Sequence, residues 1–108
     1  MKKIPLKTIT FPARGSVAGG EVFYTDVLKE VLFSGGKEGM STGKMVAAME
    51  VWAPIKAAIG KEFVLLEEAE YRQLLQQLNV FLWASGSEEV MTFISDVQNA
   101  ETFIVSTE

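Results

Sequence analysis

The hydrophobic rhythm of the chain changes near Tyr24. Before it, "IPLKTITF" is rich in β-branched residues and reads as a strand. "PARGSVAGG" then supplies a proline and three glycines for a loop, and "EVFY" reads as a short returning strand. Residues 1–24 are therefore expected to form a β-hairpin.

After Tyr24 the apolar positions follow a helical period. Tyr24, Val27, Leu28, Val31 and Leu32 form one stripe of a helix over 25–34, which Thr25 or Asp26 can cap and "SGG" ends. A second helix is expected over 41–59. Ser41 is its cap, Met40 a hydrophobic staple and Gly60 its stop; Met45, Ala48, Met49, Trp52, Ile55 and Ile59 form its buried face. Pro54 lies inside it and predicts a kink that opens on the solvent side. "FVLL" at 63–66 reads as a short strand or an extended connection.

The third helix, expected over 67–84, has Tyr71, Leu74, Leu75, Leu78, Phe81 and Leu82 on its inner stripe. Glu67, Glu68 and Glu70 crowd its first turn, where the helix dipole favours acids, and Glu68 can pair with Arg72. "SGS" breaks the chain, and Ser87 caps a last helix over 87–99 with Val90, Phe93, Ile94 and Val97 inward. Residues 102–107 are β-prone and predict a further strand, either beside the N-terminal hairpin or exposed. The expected fold is a single α+β domain, mainly α, with four helices and a small β element.

Composition narrows the chemistry. At 108 residues the chain has room for one modest core, and its 48% apolar and 22% charged content is that of a globular protein. It has neither His nor Cys, so thiol catalysis, imidazole acid–base chemistry, disulfides and the usual structural zinc sites are closed to it. No cofactor or metal is expected, and the prior for an enzyme is low. No apolar run is long enough to span a membrane, and the start lacks the pattern of a secretory signal, so a cytoplasmic location is expected.

Charge is uneven along the chain. Residues 1–20 carry four basic groups and no acid, whereas residues 73–108 carry five acids and no Lys or Arg. An acidic surface built from Glu88, Glu89, Asp96 and Glu101 does not suit a phosphate backbone, so direct nucleic-acid binding is not expected. It suits a basic protein partner, or it serves solubility.

Two patterns resemble catalytic motifs. "EGMSTGKM" nearly spells a phosphate-binding loop, but Met45 follows Gly43-Lys44 where the motif needs a hydroxyl, and Glu38 stands where it needs glycine. The Ser41-x-x-Lys44 spacing would allow an amine-activated hydroxyl, the basis of a small Ser/Lys hydrolase, yet the Ser-x-Asn and Lys-Thr-Gly companions are missing. A helix cap at Ser41 accounts for the same residues. Glu89 and Asp96 share a helix face about 10.5 Å apart, too far for a shared proton. Glu67, Glu68 and Glu70 lack the alternation of a calcium loop.

The end of the third helix, "NVFLW", is apolar on nearly every side. Val80 and Trp83 point away from the inner stripe, so either a second layer of the domain or a partner covers them. Phe103 and Ile104 raise the same question, because an uncovered β-prone edge recruits another strand.

The succession "YTDVLKEVL", "GMSTGKM", "FVLLEEAEYRQLLQQLNVFLW" and "FISDVQNA" resembles small proteins encoded by tailed phages and prophages. That resemblance implies a phage setting, in the cytoplasm of a bacterial host or in the virion, and carries over no functional residue. Small acidic proteins without catalytic residues there tend to be assembly factors, virion components or inhibitors of host machinery. The leading expectation is a non-enzymatic protein-interaction module that associates with itself, with Val80, Trp83, Phe103 and Ile104 at its contact surface. The alternative is an inhibitor that uses Glu88, Glu89, Asp96 and Glu101 to occupy a basic site on a host defence or nucleic-acid-processing protein.

Overall fold

A computed structural model describes residues 1–11, 20–35, 39–83 and 86–102. In chain order the elements are β1 (Lys2–Pro5), β2 (Thr8–Phe11), β3 (Gly20–Phe23), α1 (Tyr24–Ser34), α2 (Thr42–Ala57), β4 (Phe63–Leu66), α3 (Glu68–Val80), α4 (Glu88–Gln98) and β5 (Glu101–Thr102). The fold is α+β and mainly α: four helices with two small antiparallel sheets, ordered β4-β1-β5 and β2-β3.

The N-terminal segment is two strands rather than one. Leu6 donates its N–H to the Glu62 carbonyl at 2.8 Å, and the Lys7 carbonyl accepts from Tyr24 N–H at 3.0 Å, so the chain passes from one sheet to the other at these two residues. β1 pairs with β4 from Lys2↔Leu66 to Pro5↔Phe63, and β2 pairs with β3 from Thr8↔Phe23 to Phe11↔Gly20. The expected hairpin is thus β2–β3 alone. In an antiparallel ladder hydrogen-bonded pairs alternate, and the Leu6–Glu62 bond puts Pro5 at a position whose missing N–H points away from β4. Among the described residues β5 pairs with Lys2 and Lys3. Of the expected strand 102–107, Thr102 is in β5 and 103–107 lie outside the described residues.

One cluster of buried side chains joins the layers, with Ile4 and Ile9 from the strands, Leu28 and Leu32 from α1, Ile55 from α2, Leu74 from α3 and Phe93 from α4 all at its centre. The stripe of α1 is buried as its period predicts, with Val27 partly exposed. α1 begins at Tyr24, however, with Phe23 in the cap position and no side-chain cap, so neither Thr25 nor Asp26 caps it. Its end is set by Gly35 at φ 70°, where an added Cβ would collide with the Gly39 carbonyl.

α2 is capped as expected, with Ser41 Oγ accepting from Lys44 N–H at 3.2 Å, and Met40 packs on the core. Its buried face is rotated from the expected one. Ala48, Val51, Trp52, Ile55 and the following Ala58 are buried, whereas Met45, Met49 and Ile59 are exposed. The helix is apolar around much of its circumference, so periodicity alone leaves the choice of face to packing against α1 and α3. α2 ends at Ala57, two residues early, and a turn carries the chain to Gly60 at φ 87°.

α3 begins with Glu67 N–H donating to Glu70 Oε1 at 2.8 Å and ends at Val80, not at 84. Phe81 takes extended dihedrals, which removes Phe81 and Leu82 from the helical stripe and leaves Leu82 exposed. The expected Glu68–Arg72 ion pair is not formed among the described residues. α4 is capped by Ser87 Oγ accepting from Val90 N–H at 3.1 Å, and buries Phe93 and Val97.

Candidate functional site

A groove lies beside the helix break at Phe81. An 880 Å³ groove runs between α1 and the extended residues 81–83, with Val22, Val27, Phe33, Phe81 and Trp83 as its apolar lining and Asp26, Lys29 and Glu30 on its rim. Val80 and Leu82, at the end of α3 and just past it, are 53% and 57% exposed. Leu82 lines the groove.

Trp83 is not simply a surface residue. Its ring meets Phe81 edge-on at 4.5 Å and Phe93 at 6.2 Å, and Phe93 in turn meets Tyr24 edge-on at 4.9 Å. This aromatic chain ties the half-buried Trp83 to the buried core, each contact adding about 0.5–1.5 kcal/mol beyond area burial. Trp83 therefore supports the groove wall from within, while Val80 and Leu82 present apolar surface to solvent.

The acidic residues do not form one surface. Glu88 is exposed and Glu89 half-exposed in the first turn of α4, where the helix dipole favours them. Asp96 faces the strands instead. Its Oδ2 accepts from the Tyr24 hydroxyl at 2.6 Å and from Lys7 Nζ at 3.2 Å. Glu101, exposed on β5, stands opposite Lys3 in the sheet register, and the neighbouring Thr102 Oγ1 accepts from Lys2 Nζ at 2.8 Å. Two basic residues of the first strands, Lys3 and Lys7, thus lie beside Glu101 and Asp96. Phe103 and Ile104 lie outside the described residues.

Two tyrosines hold α4 in place. Burial, reinforced by the hydrogen bond and charge of Asp96, keeps the Tyr24 phenol well above its ordinary pKa. Tyr71 places its hydroxyl 2.6 Å from the Val97 carbonyl and 2.9 Å from that of Gln98, at the helix end where carbonyls lack internal donors. Its pKa is raised as well, chiefly by burial. Both phenols act as neutral donors, the opposite of what a tyrosine general base requires.

The first turn of α2 is exposed from Ser41 to Lys44, and the Ser41 hydroxyl serves the backbone N–H of Lys44. Among the described residues no three acidic side chains converge as a metal site, and no helix is long and apolar enough to cross a membrane. Sequence reasoning missed a further cavity, 590 Å³, at the N-terminus of α1, where Phe23 and Ile59 stand exposed. The available signal was a phenylalanine in a cap position. No protein-family model, curated protein or solved structure matches this chain.

Proposed function

We propose that this chain is a non-enzymatic protein-interaction module that associates with a second copy of itself, serving phage assembly or structure in a bacterial cytoplasm or in the virion. The observation that carries the reading is the exposure of Val80 and Leu82 beside an apolar groove of 880 Å³. Apolar surface gathered at one edge is removed from water when a partner covers it. A two-fold contact requires a surface that complements itself, and the groove rim supplies both signs, Lys29 between Asp26 and Glu30. The phage setting rests on the sequence resemblance.

The inhibitor reading is less well supported. Asp96 is engaged by Lys7 and Tyr24, and Glu101 stands opposite Lys3, so two of its four acids already have partners or a facing cation within the chain.

Light scattering on the chromatographed full chain at micromolar concentration tests the proposal. The expected species is a dimer or larger, converted to monomer by Val80→Glu with Leu82→Glu while the far-UV spectrum is kept. A strictly monomeric wild type overturns it.

A further inference from the structure

The outer edge of β4 leaves backbone bonding capacity unused. β4 lies at one end of the β4-β1-β5 sheet. The Leu6–Glu62 bond fixes which of its residues bond to β1. Val64 and Leu66 do, opposite Ile4 and Lys2, so the N–H and C=O of Phe63 and Leu65 point the other way. Among the described residues these outward groups meet no partner. Two donors and two acceptors at strand spacing match the backbone of an extended segment.

A groove beside this edge gives such a segment a place to rest. It holds 280 Å³ between the end of α2 and β4, and Pro54, Ala57, Ala58 and Val64 supply apolar lining. Side chains alternate across a strand, so every second residue of an added segment meets the groove. The small Ala57 and Ala58 leave room there for a branched aliphatic side chain. The residues between them lie beside Phe63, 38% exposed, and the half-buried Leu65 on the opposite face of β4.

Charge selects among extended segments. Lys61 is the charged lining residue of the groove among the described residues, and Lys56 is exposed in the last turn of α2. On the other face Lys3 holds its Nζ 4.6 Å from the centre of the Phe63 ring. Glu62 and Glu67, which flank β4 in the sequence, are not among the lining residues. A chain of net charge −4 thus presents a basic rim at this edge, which attracts an acidic partner.

We propose that the β4 edge binds an extended, acidic segment of another protein as an added strand. Main-chain bonds to Phe63 and Leu65 hold the segment, the groove takes its alternate aliphatic side chains, and the lysines favour acidic flanks. The site is separate from the groove beside Phe81 and does not rest on self-association.

Amide shifts and hydrogen exchange of the full chain test the site. The probe is a terminally blocked peptide of alternating valine and threonine with aspartates at both ends. Saturable shifts and slowed exchange are expected at Phe63 and Leu65. The same peptide with lysines for aspartates should bind about tenfold more weakly, and one N-methylated at alternate residues should not bind. Leu65→Pro removes an outward N–H while keeping the β1 ladder, and should weaken binding by about tenfold. Lys61→Glu should narrow the preference for aspartate; Lys61 is exposed, so this variant keeps the test valid if the proline disturbs folding. Val80→Glu with Leu82→Glu should bind the peptide as the wild type does, whatever its effect on self-association. Equal binding of the N-methylated peptide would mean apolar contact only. Exchange at Phe63 and Leu65 that slows with protein concentration, without peptide, would make a second copy the occupant. Either result, equal binding of the lysine peptide, loss of binding in the Val80, Leu82 variant, or no saturable shift at millimolar peptide overturns the proposal.

Discussion

The Tyr24 hydroxyl donates to Asp96 Oδ2 at 2.6 Å, and Lys7 Nζ reaches the same oxygen at 3.2 Å. The bond joins residues 72 positions apart and fastens α4 to the junction of the strands and α1. It also converts the sequence's separated basic and acidic ends into an internal contact.

Stability should therefore respond to alkaline pH through the tyrosines. A group whose folded pKa is raised contributes fully below its unfolded value, about 10 for tyrosine, and that contribution is lost as pH rises toward the folded value. Both tyrosines of the chain are shifted upward. Denaturant stability should be insensitive to tyrosine ionisation through neutral pH and fall above about pH 10, with tyrosinate absorbance appearing together with unfolding. Tyr24→Phe should cost about 1–3 kcal/mol at neutral pH and flatten the alkaline decline. Tyrosinate forming near pH 10 in a still-folded protein would contradict this account.

Tyr71→Phe should act locally on the end of α4. The change leaves the Val97 and Gln98 carbonyls without their side-chain donor, at a cost of about 1–3 kcal/mol if water does not replace it. Hydrogen exchange should accelerate first at Asn99 to Thr102 and along the β1–β5 pairing. Uniform acceleration throughout the chain would point to a global rather than a local effect.

Ser41→Ala and Ser87→Ala should be equivalent, because both hydroxyls accept from the backbone N–H three residues on. Each should lower stability by about 0.5–2 kcal/mol, seen as a shifted denaturation midpoint without a changed slope. Ser41→Ala should leave self-association intact. Its loss would return attention to the Ser41–Lys44 pattern as a functional element.

Gly35→Ala should be much more damaging than Gly60→Ala. Both glycines have positive φ, but an added methyl group at Gly35 meets the Gly39 carbonyl, whereas the space beside Gly60 is open. Backbone strain alone costs about 1–2 kcal/mol, and the collision adds to it. Thermal unfolding of the two variants, measured side by side, provides the comparison.

The local pattern of the sequence was sufficient for the four helices, the serine caps at 41 and 87, the glycine stop after α1 and the α+β class, because capping and short-range periodicity act within a few residues. The buried faces of α1 and α4 were legible for the same reason: each has one apolar stripe. α2 has more than one, and only packing against α1 and α3 selected Val51 and Ala58 over Met45 and Ile59. The division of the first strand depended on the distant partners Glu62 and Tyr24. The break at Phe81 was hidden by an apolar run that continues the helical period past it. The charge asymmetry of the sequence suggested an acidic surface seeking a cation, but tertiary structure brought Lys7 to Asp96. Local sequence can state that both charges exist; chain topology decides that they meet.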